Sequence, residues 1–235
     1  LPAKQMLSAI GQSRLMQVYG ELFDIFEIVV GQVLLTREDL GNRTRFLNAR
    51  DTLLTLIDRR IIPIINENDT IATEEIRVGD NDNLSALVAT LIDADLLVLL
   101  TDQPGLFTAD PRRFKDARLI EQVTRIDDST WAFAGESISG LGTGGMATKI
   151  QAAQLASRSG ITTLIASGGE PDVLRRIAGG ETLGTRFVPI HSRLESRKRW
   201  LLMDKTRGRV HIDEGAARKL LSGGASLLPV GITSV

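Results

Sequence analysis

Between Asn66 and Asn83 six carboxylates, Glu67, Asp69, Glu74, Glu75, Asp80 and Asp82, stand against a single cation, Arg77. Asparagines are threaded among them in Asn66-Glu-Asn-Asp69 and Asp80-Asn-Asp-Asn83. Negative charge that dense points to a ligand that brings positive groups of its own. The second chemical feature is Gly140-Leu-Gly-Thr-Gly-Gly-Met-Ala-Thr-Lys149, a glycine-rich turn that runs into a helix carrying a lysine in its first turns. Backbone amides that curl round an anion, with Thr143 as a cap and Lys149 reaching a phosphate from the helix, would suit a phosphorylated ligand.

Each motif has a plainer reading. Gly140-x-Gly142-x-x-Gly145 matches the dinucleotide fingerprint, but 132–139 does not read as the strand that fingerprint requires. Lys149 stands four residues after Gly145 instead of directly following a glycine, so the string is not a Walker A loop. Taken alone, it fits a plain turn before a surface helix slightly better. Asp80-Asn-Asp-Asn83 opens like a calcium loop, yet Ser85 occupies the obligatory glycine position and Leu91 the position of the bidentate glutamate. The expectation is instead that Asp82 or Asn83 caps a helix over 83–93. One acid suffices for a cap, which leaves the others to explain. Thr101-Asp102 through Pro104-Gly105 and Asp110-Pro-Arg112 reads as a strand end followed by turns, and Arg197 to Arg199 as a solvated linker.

The elements that must position these residues follow from apolar periodicity. Helical spacing covers 4–23, with Gly11 as a place where it could break, and 43–60; apolar runs predict strands over 27–35 and 61–65, the latter buried on both faces. The order continues as helix 83–93, strand 96–100, helix 146–159 stopped by Gly160, and strand 162–166. This alternation predicts an α/β fold with a parallel sheet covered by helices on both faces. Ligands of such sheets gather beyond the carboxyl ends of the strands, and Asn66 to Asp69, Thr101-Asp102 and Ser167-Gly-Gly169 all follow strands there. Past Gly180 the pattern changes, and from Gly208 onward Arg-Val-His-Ile-Asp-Glu-Gly and a short helix ending at Gly223-Gly224 read as the opening of a separate small module.

Composition narrows the classes further. The chain has 235 residues, 43% of them hydrophobic, which is enough for one large α/β domain and part of another. Twenty-eight basic and 29 acidic residues leave a net charge of −1, which argues against a nonspecific nucleic-acid or membrane binder and for a small substrate. Without cysteine there are no disulfides or thiolate sites, and two histidines make a His-based zinc site improbable. With neither an apolar run of membrane length nor a signal-peptide pattern, the expected location is the cytoplasm.

Taken together, Lys4-Gln-Met-Leu7 with Gly11-Gln-Ser-Arg14, Arg45-Phe-Leu-Asn-Ala-Arg-Asp-Thr52, Ile65-Asn-Glu-Asn-Asp69, Val78 to Ala86, Thr101-Asp102 through Arg112 and Gly140 to Lys149 resemble the amino acid kinase family in order and spacing. The resemblance covers essentially the whole chain and is closest to bacterial members that phosphorylate glutamate. Glu195-Ser-Arg-Lys-Arg-Trp200 and Asp213-Glu-Gly-Ala216 resemble the stretch that leads those members into a C-terminal PUA domain. The resemblance implies an open, mainly parallel sheet sandwiched between helices, followed by the beginning of a small β-rich PUA domain. The implied boundaries are a kinase domain over 1–191, a linker over 192–205 and the N-terminal part of the PUA domain over 206–235.

The activity so implied is ATP-dependent phosphorylation of the γ-carboxylate of L-glutamate, the first step toward proline, with Mg²⁺ required. It further implies feedback inhibition by proline at or overlapping the glutamate pocket, and a homo-oligomer, tetramer or dimer. Carried over by motif, Asn66, Asp69 and Asn81 shape the amino-acid pocket; Thr101, Asp102, Thr143, Gly144, Gly145 and Met146 contact the nucleotide; Lys149 neutralises the transferring phosphoryl group; and Asp82 holds the catalytic lysine in position. No residues of the chain are implied as direct metal ligands. The family pattern begins with a strand, a glycine loop and a second lysine that do not precede Leu1 here. The kinase domain is therefore expected to lack its N-terminal part in this sequence, and these residues alone are expected to show negligible kinase activity. The alternatives are a sibling kinase acting on acetylglutamate, aspartate or UMP, and a catalytically inactive regulator whose PUA-like part binds RNA.

Overall fold

A computed structural model describes residues 2–71, 80–134, 145–189, 210–223, 227 and 229–234. The chain divides into two compact units, Leu1–Met203 and Asp204–Val235. The first unit runs α1 (Pro2–Asp24), β1 (Val30–Leu35), α2 (Arg37–Gly41), α3 (Arg43–Asp58), β2 (Ile62–Glu67), α4 (Asn81–Leu91), β3 (Leu96–Thr101), β4 (Gln122–Val123), α5 (Asp128–Phe133), α6 (Met146–Arg158), β5 (Thr162–Ser167), α7 (Val173–Ala178) and β6 (Thr185–Phe187). The second holds β7 (His211–Ile212), α8 (Glu214–Gly223), a 3₁₀ turn (Pro229–Gly231) and β8 (Ile232–Ser234), with β7 and β8 antiparallel. No helix among the described residues is long and apolar enough to cross a membrane.

The mainly parallel order is observed, and its hydrogen bonding divides into two ladders. β1 pairs with β2 in parallel, while a four-stranded sheet has the order β3-β5-β6-β4 with only the β5–β6 pair antiparallel. Alternation in β3 and β5 sorts side chains to two faces. Leu97, Leu99 and Ile165 enter a core with Ala86, Ala89, Ile150 and Ala153 of α4 and α6, whereas Val98, Leu164 and Ala166 pack against Val173 and Ile177 of α7. The sheet thus lies between helices. A further core joins β1, α2, α3 and α4 through Leu35, Leu40, Phe46, Leu53, Leu84 and Leu87.

Helices α3, α4 and α6 end in the same way, by a left-handed residue that turns the chain into the next strand, as do α1 at Glu27 and α7 at Gly180. Arg60 (φ 59), Asp93 (φ 59) and Gly160 (φ 76) serve α3, α4 and α6, and the residue after each returns a hydrogen bond to the last turn: Ile61 to Leu56 at 2.9 Å, Ala94 to Ala89 at 2.9 Å and Ile161 to Ala156 at 3.0 Å. At Gly184 (φ 72) glycine is obligatory for a second reason, because a Cβ there would stand 2.0 Å from the Ile165 carbonyl oxygen.

Several expectations are corrected. Helix α1 runs unbroken through Gly11. The first strand starts at Val30, not at residue 27, because Glu27 adopts φ 57 and closes a turn after α1. β2 is not buried on both faces: Ile62 is 38% exposed and Pro63 to Glu67 are half-buried. Its ladder pairs with β1 alone among the described residues, so the apolar run here marks a strand with one paired edge. The helix expected over 83–93 begins at Asn81 and is capped by Asp80, whose Oδ1 accepts from the Asn83 amide at 2.7 Å; neither Asp82 nor Asn83 is the cap.

Candidate functional site

The positions of Asp82 and Lys149 follow from helix length and from the turns just described. α6, of 13 residues, spans roughly 20 Å and reverses into β5, whose 6 residues span about the same length, so the start of α6 lies level with the carboxyl end of β5. α4 reverses into β3 in the same manner. Small residues, Ala86 and Ala89 against Ala152, Ala153 and Ala156, let the two helices pack closely, and at their far end the buried hydroxyls of Thr90 and Ser159 stand 3.0 Å apart. Both helix N-termini therefore meet at the strand-end side of the sheet.

At that meeting point Lys149 Nζ donates to both carboxylate oxygens of Asp82, at 3.2 Å to Oδ1 and 3.0 Å to Oδ2. The side chains retain only 10% and 16% of their exposure. Thr148 Oγ1 lies 2.7 Å from Asp82 Oδ2 and 2.7 Å from the Gly145 carbonyl, so its single proton is shared between two acceptors. Because Asp80 does the capping, Asp82 is left as an inward-facing residue of the first turn. Gly145, the N-cap of α6, has no side-chain capping bond, and the amides of Met146 and the next residues stand beside a buried ammonium. Such an arrangement suits an anion with several oxygens.

At the carboxyl end of β3, Gly168 N donates to the Thr101 carbonyl at 2.8 Å, so the ends of β3 and β5 stay paired up to the loops. Asp102 accepts from Thr101 Oγ1 at 3.1 Å and from Arg112 Nη2 at 2.8 Å. The Thr101 hydroxyl first, and the Arg112 guanidinium after it, hold the Asp102 carboxyl below its ordinary value of 3.8. This pair is open to solvent, with 66% and 74% of the Arg112 and Asp102 side chains exposed.

A cavity of about 270 Å³ lies where α1 crosses the carboxyl end of β2, and Asn66 and Asp69 both line it, together with Gln12, Leu15 and Leu34. Asn66 Oδ1 accepts from the Glu67 amide at 2.9 Å, and Asn66 Nδ2 donates to Gln12 Oε1 at 2.9 Å. Asn81 does not join them: exposed, it lines a separate groove of about 380 Å³ with Ile65, Leu84 and Val88. The structure thus brings Asp82 together with Lys149, and Asn66 with Asp69. Thr143 and Gly144, like Glu74, Glu75 and Arg77, lie outside the described residues, as do His191 and the linker over 192–205. Reading the residues in order gave no individual role to Thr148, Gln12 or Arg112, although each stands in a string that carries the resemblance. For Thr148 the signal was its place beside Lys149 in the first turn of α6.

A profile of the amino acid kinase family matches residues 1–167. Glutamate 5-kinase of Cronobacter sakazakii is 57% identical over 235 residues, covering 100% of this chain and 64% of that protein. Glutamate 5-kinase of Photobacterium profundum is 57% identical over 236 residues and is covered to 62%. The chain thus spans slightly under two thirds of the length of these relatives. Among solved structures, an isopentenyl phosphate kinase superposes with a TM-score of 0.54 at 16% identity over 75% of this chain and 66% of that one, a likeness of fold alone.

Proposed function

This chain belongs to the amino acid kinase family, and on that premise we propose that it acts as a glutamate 5-kinase, transferring the terminal phosphoryl group of ATP to the γ-carboxylate of L-glutamate in the first step toward proline. The observation that carries the reading is the buried Lys149–Asp82 pair at the joined N-termini of α4 and α6. Identity of 57% with glutamate 5-kinases along all 235 residues supports glutamate as the acceptor.

Two anionic reactants repel, so a phosphotransferase must align them and cover the transferring charge; it needs little covalent chemistry of its own. In this reading Lys149 Nζ meets the phosphoryl oxygens, and Asp82, held in turn by Thr148, fixes where the ammonium points. The first-turn amides of α6, with Gly144, Gly145, Met146 and Thr143, cradle the phosphates, and Thr101 and Asp102 border the nucleotide. ATP, when bound, supplies the phosphoryl group together with Mg²⁺, a hard cation that keeps phosphate and water ligands. Both oxygens of Asp82 are already engaged by the protein, which fits a carboxylate that positions a lysine better than a metal ligand. Asn66 and Asp69 belong to the acceptor side, where Asp69 answers the substrate ammonium.

The same reading makes proline a feedback inhibitor at the glutamate pocket and the protein a cytoplasmic homo-oligomer, tetramer or dimer. It makes 206–235 the start of a PUA domain. The test supplies the full-length protein with ATP and Mg²⁺ and with L-glutamate, acetylglutamate, aspartate or UMP in turn, and measures ADP. Release with glutamate alone is expected; release with another acceptor and none with glutamate would reassign the enzyme, and RNA binding of steep salt dependence without ATP affinity would replace it.

A further inference from the structure

We propose that α1 is a contact surface between two copies of this protein, packed antiparallel against the same helix of the second copy about a two-fold axis near Gln12 and Ser13. The inference rests on the homo-oligomer reading above and names the surface that builds it. What points there is the direction in which α1 turns its side chains. Its half-buried residues are Gln5, Ser8, Gln12, Met16, Gly20 and Phe23, spaced three and four apart on the side that meets the rest of the unit. Four of them are polar or glycine. A second stripe of the same spacing, Leu7, Gly11, Leu15, Val18 and Leu22, faces solvent with Ile10 at its flank. Its large side chains keep between 39% (Leu15) and 63% (Leu7) of their exposure. A helix on the surface of a lone molecule does the reverse, turning its leucines to the core and its amides to water.

A contiguous apolar stripe exposed on a folded chain marks a protein contact, and this one is complementary to itself. In an antiparallel pair whose axis passes between residues 12 and 13, Leu7 meets Val18 of the second copy, Ile10 meets Leu15, and Lys4 meets Glu21. Each match is made twice, because an isologous contact returns every interaction. A parallel pair would instead set Lys4 against Lys4 and Arg14 against Arg14. The same antiparallel register lays the Arg14 stem over Gly11. A Cβ at Gly11 would meet nothing within 4 Å in its own chain, so the fold of one copy gives no reason for a glycine that weakens the helix. Close approach of a second helix does. Ile25 and Phe26, both exposed in the turn after α1, continue the apolar surface.

The absence of cysteine from this sequence makes the register testable by cross-linking. Along one helix residues 7 and 18 stand roughly 16 Å apart, beyond the reach of a disulfide, whereas across the antiparallel pair they are neighbours. The full-length protein carrying Leu7→Cys and Val18→Cys together, each single variant and wild type are oxidised in dilute solution and separated without reductant. The double variant is expected to run mostly as a linked dimer, and the single variants and wild type as single chains. No linked dimer from the double variant, or equal linking by a single variant, would overturn the proposal. Sedimentation velocity of Val18→Glu supplies a second reading: an assembly of half the wild-type mass with an unchanged circular dichroism spectrum is expected. Unchanged mass would overturn the proposal, and so would loss of the helical signal, which would show the stripe to be covered within its own chain. Wild-type protein that sediments as a monomer would sink the homo-oligomer reading itself, while an oligomeric wild type without the cross-link would sink only the role of α1.

Discussion

Two of the carboxylate–cation pairs among the described residues of the first unit, Asp82 with Lys149 and Asp102 with Arg112, differ in what surrounds them. The first is nearly buried, doubly hydrogen-bonded and braced by Thr148 between two packed helices. The second is a single contact between side chains that water surrounds on most sides. Charge in a low-dielectric junction must be paired, and removing one member leaves the other uncompensated. An exposed pair is screened and contributes little. Identical chemistry thus yields a rigid device in one place and a surface tether in the other.

Four substitutions can break or sharpen this contrast. Lys149→Ala should have the largest effect, lowering kcat by about 10²–10³-fold with secondary structure retained, as steady-state kinetics alongside circular dichroism would read. Undiminished turnover with an intact fold would remove the lysine from the mechanism. Asp82→Asn keeps shape but not charge, and misplacing the ammonium should lower kcat by up to about a hundredfold. Thr148→Val removes one brace of the carboxylate, a loss of about 1 kcal/mol, and should lower kcat roughly fivefold. Asp102→Asn should leave the thermal midpoint unchanged within error. Its acid dependence follows from the depressed carboxyl: what stability the pair contributes is complete above 3.8 and lost as pH falls below it, and added salt should weaken it further. A large thermal loss at neutral pH in Asp102→Asn would erase the distinction between the two pairs.

Much of this was legible in the residues. Helix and strand periodicity located α3, α4, α6, β3 and β5 to within a few residues, and Gly160 marked its helix stop because glycine enters the left-handed region at no steric cost. Arg60 and Asp93 perform the same closure without any such signature. The cap of α4 was misplaced since Asp80-Asn-Asp-Asn83 offers four competent cap residues in a row, and only backbone geometry selects Asp80. Short α2 was overlooked although Thr36 and Asp39 form a reciprocal capping box. Half-burial of β2 was beyond the reach of composition, because an apolar run says nothing of which side is covered. The Gln12–Asn66 hydrogen bond was invisible for a different reason: a contact with a segment 54 residues away leaves no local signal in the sequence.

The account depends on Asp82 and Lys149 acting as one unit, and a double-mutant cycle on kcat tests that most directly. Asp82→Asn, Lys149→Met and the combined variant would be compared with wild type under saturating ATP and glutamate. The prediction is strong non-additivity, with the double variant no slower than Lys149→Met alone. Fully additive losses would mean that the two residues contribute independently and would contradict the arrangement proposed.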